Sequence, residues 1–156
     1  MRKTTANMSM TDVCISVADW LGTPALRSIR QQVFIDEQKV APDLEWDEDD
    51  AVATHFLLTL QGQPMGTARL LPSGRIGRVA LLPAARGKGL GRELMLAVMQ
   101  HAQHQGIHQL ELSAQTHALG FYQQLGFEVC SDTYLDAGIP HQSMRYPAPS
   151  SCRSNC

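Results

Sequence analysis

The hydrophobic period of the chain changes abruptly at a glycine-rich stretch, residues 86–92, and this change limits the folds that the chain can adopt. Before the stretch, three β-favouring runs are separated by turn residues, which predicts a three-stranded antiparallel meander. The runs are Thr54–Leu60, Met65–Leu71 and Ile76–Leu82. After the stretch, apolar residues recur at helical spacing from Leu90 to Ala102, and Gly106 predicts the end of that helix.

Similar strand and helix signals flank this central part. A strand is predicted at Cys14–Val17, and a helix is predicted to begin near Thr23 and Pro24, which suit the N-cap and the first helical position. After Gly106 the predicted elements are a strand around Leu110–Leu112, a helix through Tyr122 that stops at Gly126, and strands near Phe127–Ser131 and Ser143–Tyr146. The order β-α-β-β-β-α-β-α-β-β predicts a mixed sheet flanked by helices, an α/β architecture with α+β features.

The size and composition of the chain predict one domain. Its 156 residues, 44% of them hydrophobic and 18% charged, suffice for one buried core. We expect this domain at residues 11–147, between flexible segments at 1–10 and 148–156. The net charge of −2 argues against a nucleic-acid partner. The sequence has neither a membrane-length apolar run nor a signal-peptide pattern, so we expect a cytoplasmic protein without a membrane partner.

The cysteines and histidines do not follow the spacing of a metal site. The four cysteines, Cys14, Cys130, Cys152 and Cys156, lack the paired spacing of zinc ligands, and we expect them to be reduced. The histidines His101, His104 and His108 follow helical spacing, but Gly106 is predicted to end the helix before the last of them. We therefore expect surface histidines and no metal.

Residues 86–92 combine three glycines with three cationic residues between a strand and a helix. Glycine permits a positive φ and a close approach to the backbone, and the first N–H groups of a helix point at an anion placed there. The stretch therefore predicts a phosphate-binding loop. A Walker A motif is excluded, because Gly87-Lys88 is followed by Gly89 and not by Ser or Thr. A Rossmann fingerprint fits poorly, since the loop follows an antiparallel meander.

The same stretch resembles the signature of the GNAT acetyltransferase superfamily, Gln/Arg-x-x-Gly-x-Gly/Ala, which reads here Arg86-x-x-Gly89-x-Gly91. Residues 77–83 look like the fourth strand of the family, and residues 118–127 look like its Ala-x-x-Phe-Tyr-x-x-x-Gly-Phe segment. The resemblance covers roughly residues 13 to 146, and similarity to the small bacterial ElaA/YjcF-like branch lies in Val33–Gln38, Glu45–Asp47 and Gly138–Met144.

The resemblance implies a mixed, mostly antiparallel sheet with splayed fourth and fifth strands, and acetyl-CoA as co-substrate. The pyrophosphate is expected on the loop amides, and the pantetheine along the strand that holds Val79 and Leu81. Gln115 stands where many relatives carry Asn, and is a further expected contact. The expected coenzyme-binding residues are Val79, Leu81, Arg86, Gly87, Lys88, Gly89, Leu90, Gly91, Arg92 and Gln115. Dimers are common in the family, so a homodimer is an open prediction.

The activity implied by the resemblance is N-acetylation of a primary amine, on a small molecule or an exposed amino group, by direct attack on the thioester. Tyr122 matches the tyrosine of the family and is the expected general acid. The base stays open among Glu37 and Glu45, which are the first candidates, and Asp47, His55 and His141. The acids from Glu37 to Asp50 are expected to attract a cationic amine as a group. The alternatives are a non-catalytic acyl-CoA-binding regulatory module and a nucleotide-binding protein.

Overall fold

The structure is a computed structural model and describes residues 12–147. The strands are β1 (Val13–Ala18), β2 (Thr54–Leu60), β3 (Gln63–Leu70), β4 (Arg75–Leu81), β5 (Leu110–Gln115), β6 (Glu128–Val129), β7 (Tyr134–Asp136) and β8 (Ile139–Tyr146). The helices are α1 (Pro24–Arg30), which continues as a π-helix (Gln31–Glu37), α2 (Pro42–Glu45), α3 (Leu90–His104) and α4 (Leu119–Gln123), with 3-10 turns at Glu48–Ala51, Pro83–Ala85 and Thr116–Ala118. The predicted flexible segments 1–10 and 148–156, which include Cys152 and Cys156, lie outside the described residues.

The strands form one sheet in the order β1-β2-β3-β4-β5-β8-β6, and β7 pairs with β8 beside this row. All neighbouring pairs are antiparallel except β4 and β5, which are parallel. The prediction of a mixed, mostly antiparallel sheet flanked by helices is therefore confirmed, and so is the meander of β2, β3 and β4. Within residues 12–147, no helix has both the length and the apolar character needed to cross a bilayer.

The C-terminal strands differ from the prediction. The sequence pattern does not predict β7, whose three residues are too few to show an alternation. β8 begins at Ile139 and not at Ser143, because Ala137 and Gly138, with φ of 53° and 79°, make a tight turn that joins it to β7. Pro140 argues against a strand, but it stands opposite β7 and beyond the end of the ladder to β5, where a missing N–H is tolerated.

β4 and β5 pair over a short distance and then diverge. Their register covers Arg75–Ile76 against Glu111–Leu112, although β4 continues to Leu81. The register between β3 and β4 shifts beside Arg78, whose φ of 51° lies in the left-handed region. A bulge of this kind bends a strand and ends its pairing. The two strands therefore splay apart beyond Ile76, as the resemblance implies.

Different helices cover the two faces of the sheet. α3 buries one stripe of side chains in the larger core, namely Leu90, Leu94, Met95, Val98 and Ala102. α1 and the π-helix bury Ile29 and Val33 against Ala80 in a second core. The predicted end of α3 is confirmed, since Gly106 has a φ of 80° and the Ile107 N–H donates to the Ala102 carbonyl in a Schellman arrangement.

α1 begins at Pro24 as predicted, but with two differences. Thr23 stands at the N-cap, yet its side chain makes no capping hydrogen bond. The helix also continues past Arg30 as a π-helix, which ends at Glu37 and is followed by Gln38. π-helical turns are rare in proteins, and those that occur are often found at functional sites. Here the π-helix carries polar side chains toward the glycine-rich loop and toward β5.

The acidic stretch folds around a buried arginine. Arg30 is fully buried, and it donates through Nε to Glu45 at 2.6 Å and through Nη1 to Asp50 at 2.8 Å. Arg69 donates to Asp50 at 3.0 Å and to Asp47 at 2.7 Å. The predicted loop or short helical turn is therefore α2 with the following 3-10 turn, held by ion pairs.

Arg78 joins the same cluster from the bulge of β4. Its Nη2 donates to Asp47 at 3.1 Å and to the Glu45 carbonyl at 3.0 Å, and its Nε lies 3.2 Å from the Glu45 carboxylate. We call these residues the charge cluster: Arg30, Arg69 and Arg78 with Glu45, Asp47 and Asp50. The formal charges balance, because three guanidinium groups face three carboxylates.

Replacing Arg30 with methionine is expected to destabilise the protein strongly, because Glu45 and Asp50 would stay buried without their main cationic partner. The expected loss in the free energy of unfolding is about 3 kcal/mol or more, measured by urea denaturation. Arg75→Met is the control, since Arg75 pairs with Glu111 at the surface and its loss should cost less than about 1 kcal/mol. Equal losses in the two variants would contradict the structural role of the cluster.

Candidate functional site

The glycine-rich stretch borders a groove of about 340 Å³ at the N-terminus of α3. We call it the loop groove. The predicted loop residues that line it are Arg86, Gly87, Gly89, Leu90, Gly91 and Arg92, whereas Lys88 is exposed and does not line it. Leu81 of β4 and Phe121 of α4 close the groove on its inner side. The structure therefore brings most of the predicted loop residues together.

The backbone of the loop leaves room for an anion. Gly87 and Gly89 have φ of 77° and 79°, and a Cβ added to either would meet no atom within 4 Å. Gly89 is the N-cap of α3, and the first intrahelical bond is donated by Glu93 to the Gly89 carbonyl. The preceding N–H groups have no acceptor within the helix. They stand at the positive end of the helix dipole, which is the usual setting for a bound phosphate.

The Arg86 guanidinium is already paired. It donates to both carboxylate oxygens of Glu37, at 2.8 and 2.7 Å, and through Nε to the Leu81 carbonyl at 3.0 Å. The hydrogen bonds from Arg86 hold the pKa of Glu37 below its ordinary value. Glu37, a predicted base candidate, therefore lies at the surface beside the loop, as the partner of a predicted coenzyme-binding residue.

A second cavity, of about 390 Å³, lies between the diverging ends of β4 and β5. We call it the strand cavity. Ile76–Val79 and Leu112–Gln115 form two of its walls, and Phe34 and Gln38 contribute a third from the π-helix and the residue after it. The cavity exists because β4 and β5 separate beyond Ile76, where a continuous ladder would have filled this space.

The edge of β4 that faces the strand cavity carries N–H groups without a strand to pair with. The Leu82 N–H donates to the Met65 carbonyl of β3. Because successive N–H groups of a strand point to opposite sides, those of Val79 and Leu81 point toward β5, whose pairing with β4 has ended at Ile76. Val79 lines the strand cavity and Leu81 lines the loop groove, so this open edge connects the two.

Tyr122 lines the strand cavity from α4, while its neighbour Phe121 lines the loop groove. The Tyr122 ring stands edge-on to Phe121, with 4.9 Å between centroids, and to Phe127 at 6.1 Å. Burial raises the pKa of Tyr122 to about 12. The phenol is therefore protonated at neutral pH, and it can donate a proton or a hydrogen bond to a group in the cavity.

Gln115 lies at the end of β5 and lines the strand cavity with both polar atoms engaged. Its Nε2 donates to Gln38 at 2.9 Å, and its Oε1 accepts from His117 Nε2 at 2.7 Å. Gln38 and His117 also line the cavity, and the sequence analysis did not select either. The local sequence does not distinguish a polar residue that lines a cavity from one that only follows a helix or a strand.

The other predicted base candidates have different surroundings. Glu45 lines the cavity, but both it and Asp47 belong to the charge cluster, and burial raises the pKa of Glu45. His55 is buried away from the cavity, stacked on Trp20 at 4.6 Å between centroids, with its Nε2 bonded to a backbone carbonyl. His141 lines the strand cavity. Of the five base candidates, only Glu45 and His141 therefore line the strand cavity.

The structure pairs four of the acids from Glu37 to Asp50, which are expected to attract an amine as a group, with arginines. Arginines pair with Glu37 and with all three carboxylates of the charge cluster. Asp43, Glu48 and Asp49 are exposed and form no ion pair within residues 12–147. The expected attraction therefore rests on them and not on the acids that this pairing neutralises. The sequence did not show this pairing, because Arg30, Arg69 and Arg78 come from distant parts of the chain.

The part of the chain that is described, residues 12–147, contains no group of three or more His, Cys, Asp or Glu side chains that could hold a metal ion. His101 instead stands edge-on to Phe56, with 5.3 Å between ring centroids. Cys14 is an exposed thiol, and the Cys130 thiol donates to the Glu128 carbonyl at 3.3 Å. His101 thus has a packing contact and Cys130 a local hydrogen bond.

The chain is similar to known proteins over most of its length. A family model of the acetyltransferase (GNAT) domain matches residues 25–147. The uncharacterised N-acetyltransferase YjcF of Bacillus subtilis is 34% identical over 120 residues, which are 74% of this chain and 86% of YjcF. The crystal structure of ElaA from Escherichia coli has a TM-score of 0.76 at 28% identity, and covers 85% of this chain and 98% of its own. An acyl-CoA N-acyltransferase from Pseudomonas aeruginosa has the same TM-score, 0.76, and the same coverage, 85% and 98%, at 34% identity.

The buried phenol of Tyr122 predicts a stability that falls at alkaline pH. Its pKa in the folded state is about 12 against an ordinary value of 10.0, so the unfolded chain loses this proton first. The free energy of unfolding therefore falls as the pH rises from about 10 to about 12. The Tyr122→Phe variant should lack this part of the fall in urea denaturation across that range. The same pH dependence in both proteins would contradict the burial of the phenol.

Proposed function

Because this chain belongs to the GNAT acetyltransferase family, we propose that it transfers the acetyl group of acetyl-CoA to a primary amine, on a small molecule or an exposed amino group. The family makes the protein an N-acetyltransferase; the donor and the class of acceptor are the proposal. The observation that carries it is the open edge of β4, where Val79 and Leu81 connect the loop groove to the strand cavity and its phenol.

In this proposal the backbone binds the coenzyme. The N–H groups of residues 87–92 bind the pyrophosphate, with Arg92 and the exposed Lys88 as cations nearby. The N–H groups of Val79 and Leu81 bind the pantetheine arm and polarise the thioester carbonyl. Arg86 serves in its pair with Glu37, and Gln115 extends the polar wall of the strand cavity.

The transfer requires two proton movements. The neutral amine forms a bond from its nitrogen to the thioester carbon, and the bond from that carbon to sulfur breaks. The sulfur takes a proton from the Tyr122 phenol, and the surplus proton of the amine nitrogen passes to a base. Burial keeps the phenol protonated, and the same apolar surroundings make a thiolate more basic, which favours its protonation. Solvent then returns a proton to Tyr122.

The proposal includes the partners and location expected from the sequence. The co-substrates are acetyl-CoA and the amine, in the cytoplasm and without a nucleic-acid partner, in line with the net charge of −2. The homodimer stays a prediction. It is tested by measuring the molar mass of the purified protein in solution.

Gly89→Glu is expected to weaken acetyl-CoA binding, because a carboxylate would enter the space in which the loop amides are proposed to bind phosphate. The affinity measured by calorimetry should fall at least about tenfold. Gly62→Glu is the matched control, since Gly62 has the same φ of 79° and equally open surroundings, but lies in the turn between β2 and β3. A wild-type protein that does not bind acetyl-CoA would overturn the proposal.

Tyr122→Phe is expected to lower kcat for amine acetylation by about 10²-fold or more, with the Kd for acetyl-CoA unchanged, because the variant removes only the donor hydroxyl. Tyr146→Phe is the control, since Tyr146 packs on Phe127 and lines neither cavity. A wild type that binds acetyl-CoA but acetylates none of a broad panel of amines would favour the non-catalytic acyl-CoA-binding module instead.

A further inference from the structure

The group that takes the proton from the acceptor amine is left open by the motifs. We propose that it is His141, whose Nε2 serves as the general base of the strand cavity. This inference rests on the proposed acetyl transfer and assigns one of its two proton movements to a residue.

The backbone sets the proton position on the His141 ring. Nδ1 lies 2.6 Å from the Ile139 carbonyl oxygen. A carbonyl only accepts hydrogen bonds, so Nδ1 carries the hydrogen and the neutral ring has its lone pair on Nε2. Within residues 12–147 this nitrogen has no hydrogen-bond partner, and it is not fully buried. Nε2 is therefore accessible, on a ring that lines the strand cavity.

The ring is also held in place. His141 on β8 stands opposite Gln115 of β5 and Tyr134 of β7, and it is 8% exposed. Its ring is stacked on Tyr134, with 6.3 Å between centroids and 20° between planes. The Tyr134 hydroxyl is in turn hydrogen-bonded to Ser113 and Ser143. A base fixed in this way needs little reorganisation when the substrate arrives.

The remaining candidates have competing partners. Glu37 is held by Arg86 outside the strand cavity, and Glu45 and Asp47 are held by the arginines of the charge cluster. Each of these carboxylates is already engaged in an ion pair, which would have to break before the oxygen could accept a proton from the amine. His117 also lines the cavity, and its Nε2 donates to the side-chain oxygen of Gln115, which leaves the lone pair on Nδ1. Its ring is exposed, whereas the ring of His141 is buried and fixed by its contacts.

The proton balance closes on residues that line the same cavity. The attacking nitrogen carries one proton more than the amide product needs, and His141 Nε2 takes it as the bond from carbon to nitrogen forms. The resulting imidazolium keeps its Nδ1–H on the Ile139 carbonyl and releases the Nε2 proton to solvent after product release. Tyr122 supplies the separate proton of the thiol.

The test compares His141→Gln with His108→Gln, a matched change of an exposed histidine that lines neither cavity. The assay uses acetyl-CoA and whichever amine of a broad panel the wild type acetylates fastest. We expect kcat/KM to fall about 10²-fold or more in His141→Gln, with the Kd for acetyl-CoA unchanged, and to stay close to wild type in His108→Gln. Added imidazole should restore part of the activity of His141→Ala.

The tautomer is tested on the unmutated protein, so that a misfolded variant does not decide the result. Long-range ¹H–¹⁵N NMR at alkaline pH should show a protonated Nδ1 and an unprotonated Nε2 for His141. The reverse tautomer would overturn the inference, as would a His141→Gln variant within about threefold of wild type. Both outcomes leave the acetyl transfer intact. A wild type without any transfer would instead overturn the proposed function, and this inference with it.

Discussion

The structure depends above all on the ion pairs that tie β4 to the buried Arg30. Arg78 has a left-handed backbone conformation in the bulge of β4. Its side chain contacts the carbonyl and the carboxylate of Glu45, and the same carboxylate accepts a hydrogen bond from Arg30. A left-handed conformation is unfavourable for a residue with a Cβ, so it persists only where its surroundings stabilise it. Here the charge cluster does so. The bend that results separates β4 from β5, and the strand cavity exists because of it.

The same separation leaves an open strand edge that connects the two cavities. Backbone N–H groups along a strand edge need a partner, and they are costly to bury without one. The edge at Val79 and Leu81 is left open along the line from the loop groove to Tyr122. An extended molecule with an anionic end and amide groups along its length would place the anion at the glycine-rich loop and its amides along the open strand edge. In the proposed function the sheet therefore binds the coenzyme through backbone hydrogen bonds, while the side chains around the strand cavity remain available for the chemistry.

The parts of the fold that follow local patterns could be predicted from the sequence. They are the meander of β2, β3 and β4, helix α3 with its end at Gly106, and the glycine-rich stretch at residues 86–92. The remainder depends on contacts between distant segments. Arg30 has no local signal that it will be buried against acids that follow it by fifteen and twenty residues. β7 was missed because a three-residue strand forms only through its pairing with β8. For His141, the sequence shows a histidine after a proline, and only the fold shows which ring nitrogen is free.

The π-helix at Gln31–Glu37 is a segment in which the chain cannot lose a residue without losing contacts of the site. Each residue of a helix turns the chain by about 100°, so the wider π-turns shift the rotational phase of all that follows. In the present phase Val33 faces the core, Glu37 meets Arg86, and Gln38 meets Gln115. Loss of a single residue here would rotate the last two away from their partners together. A relative that keeps both contacts must therefore keep the length of this segment, even where its sequence drifts.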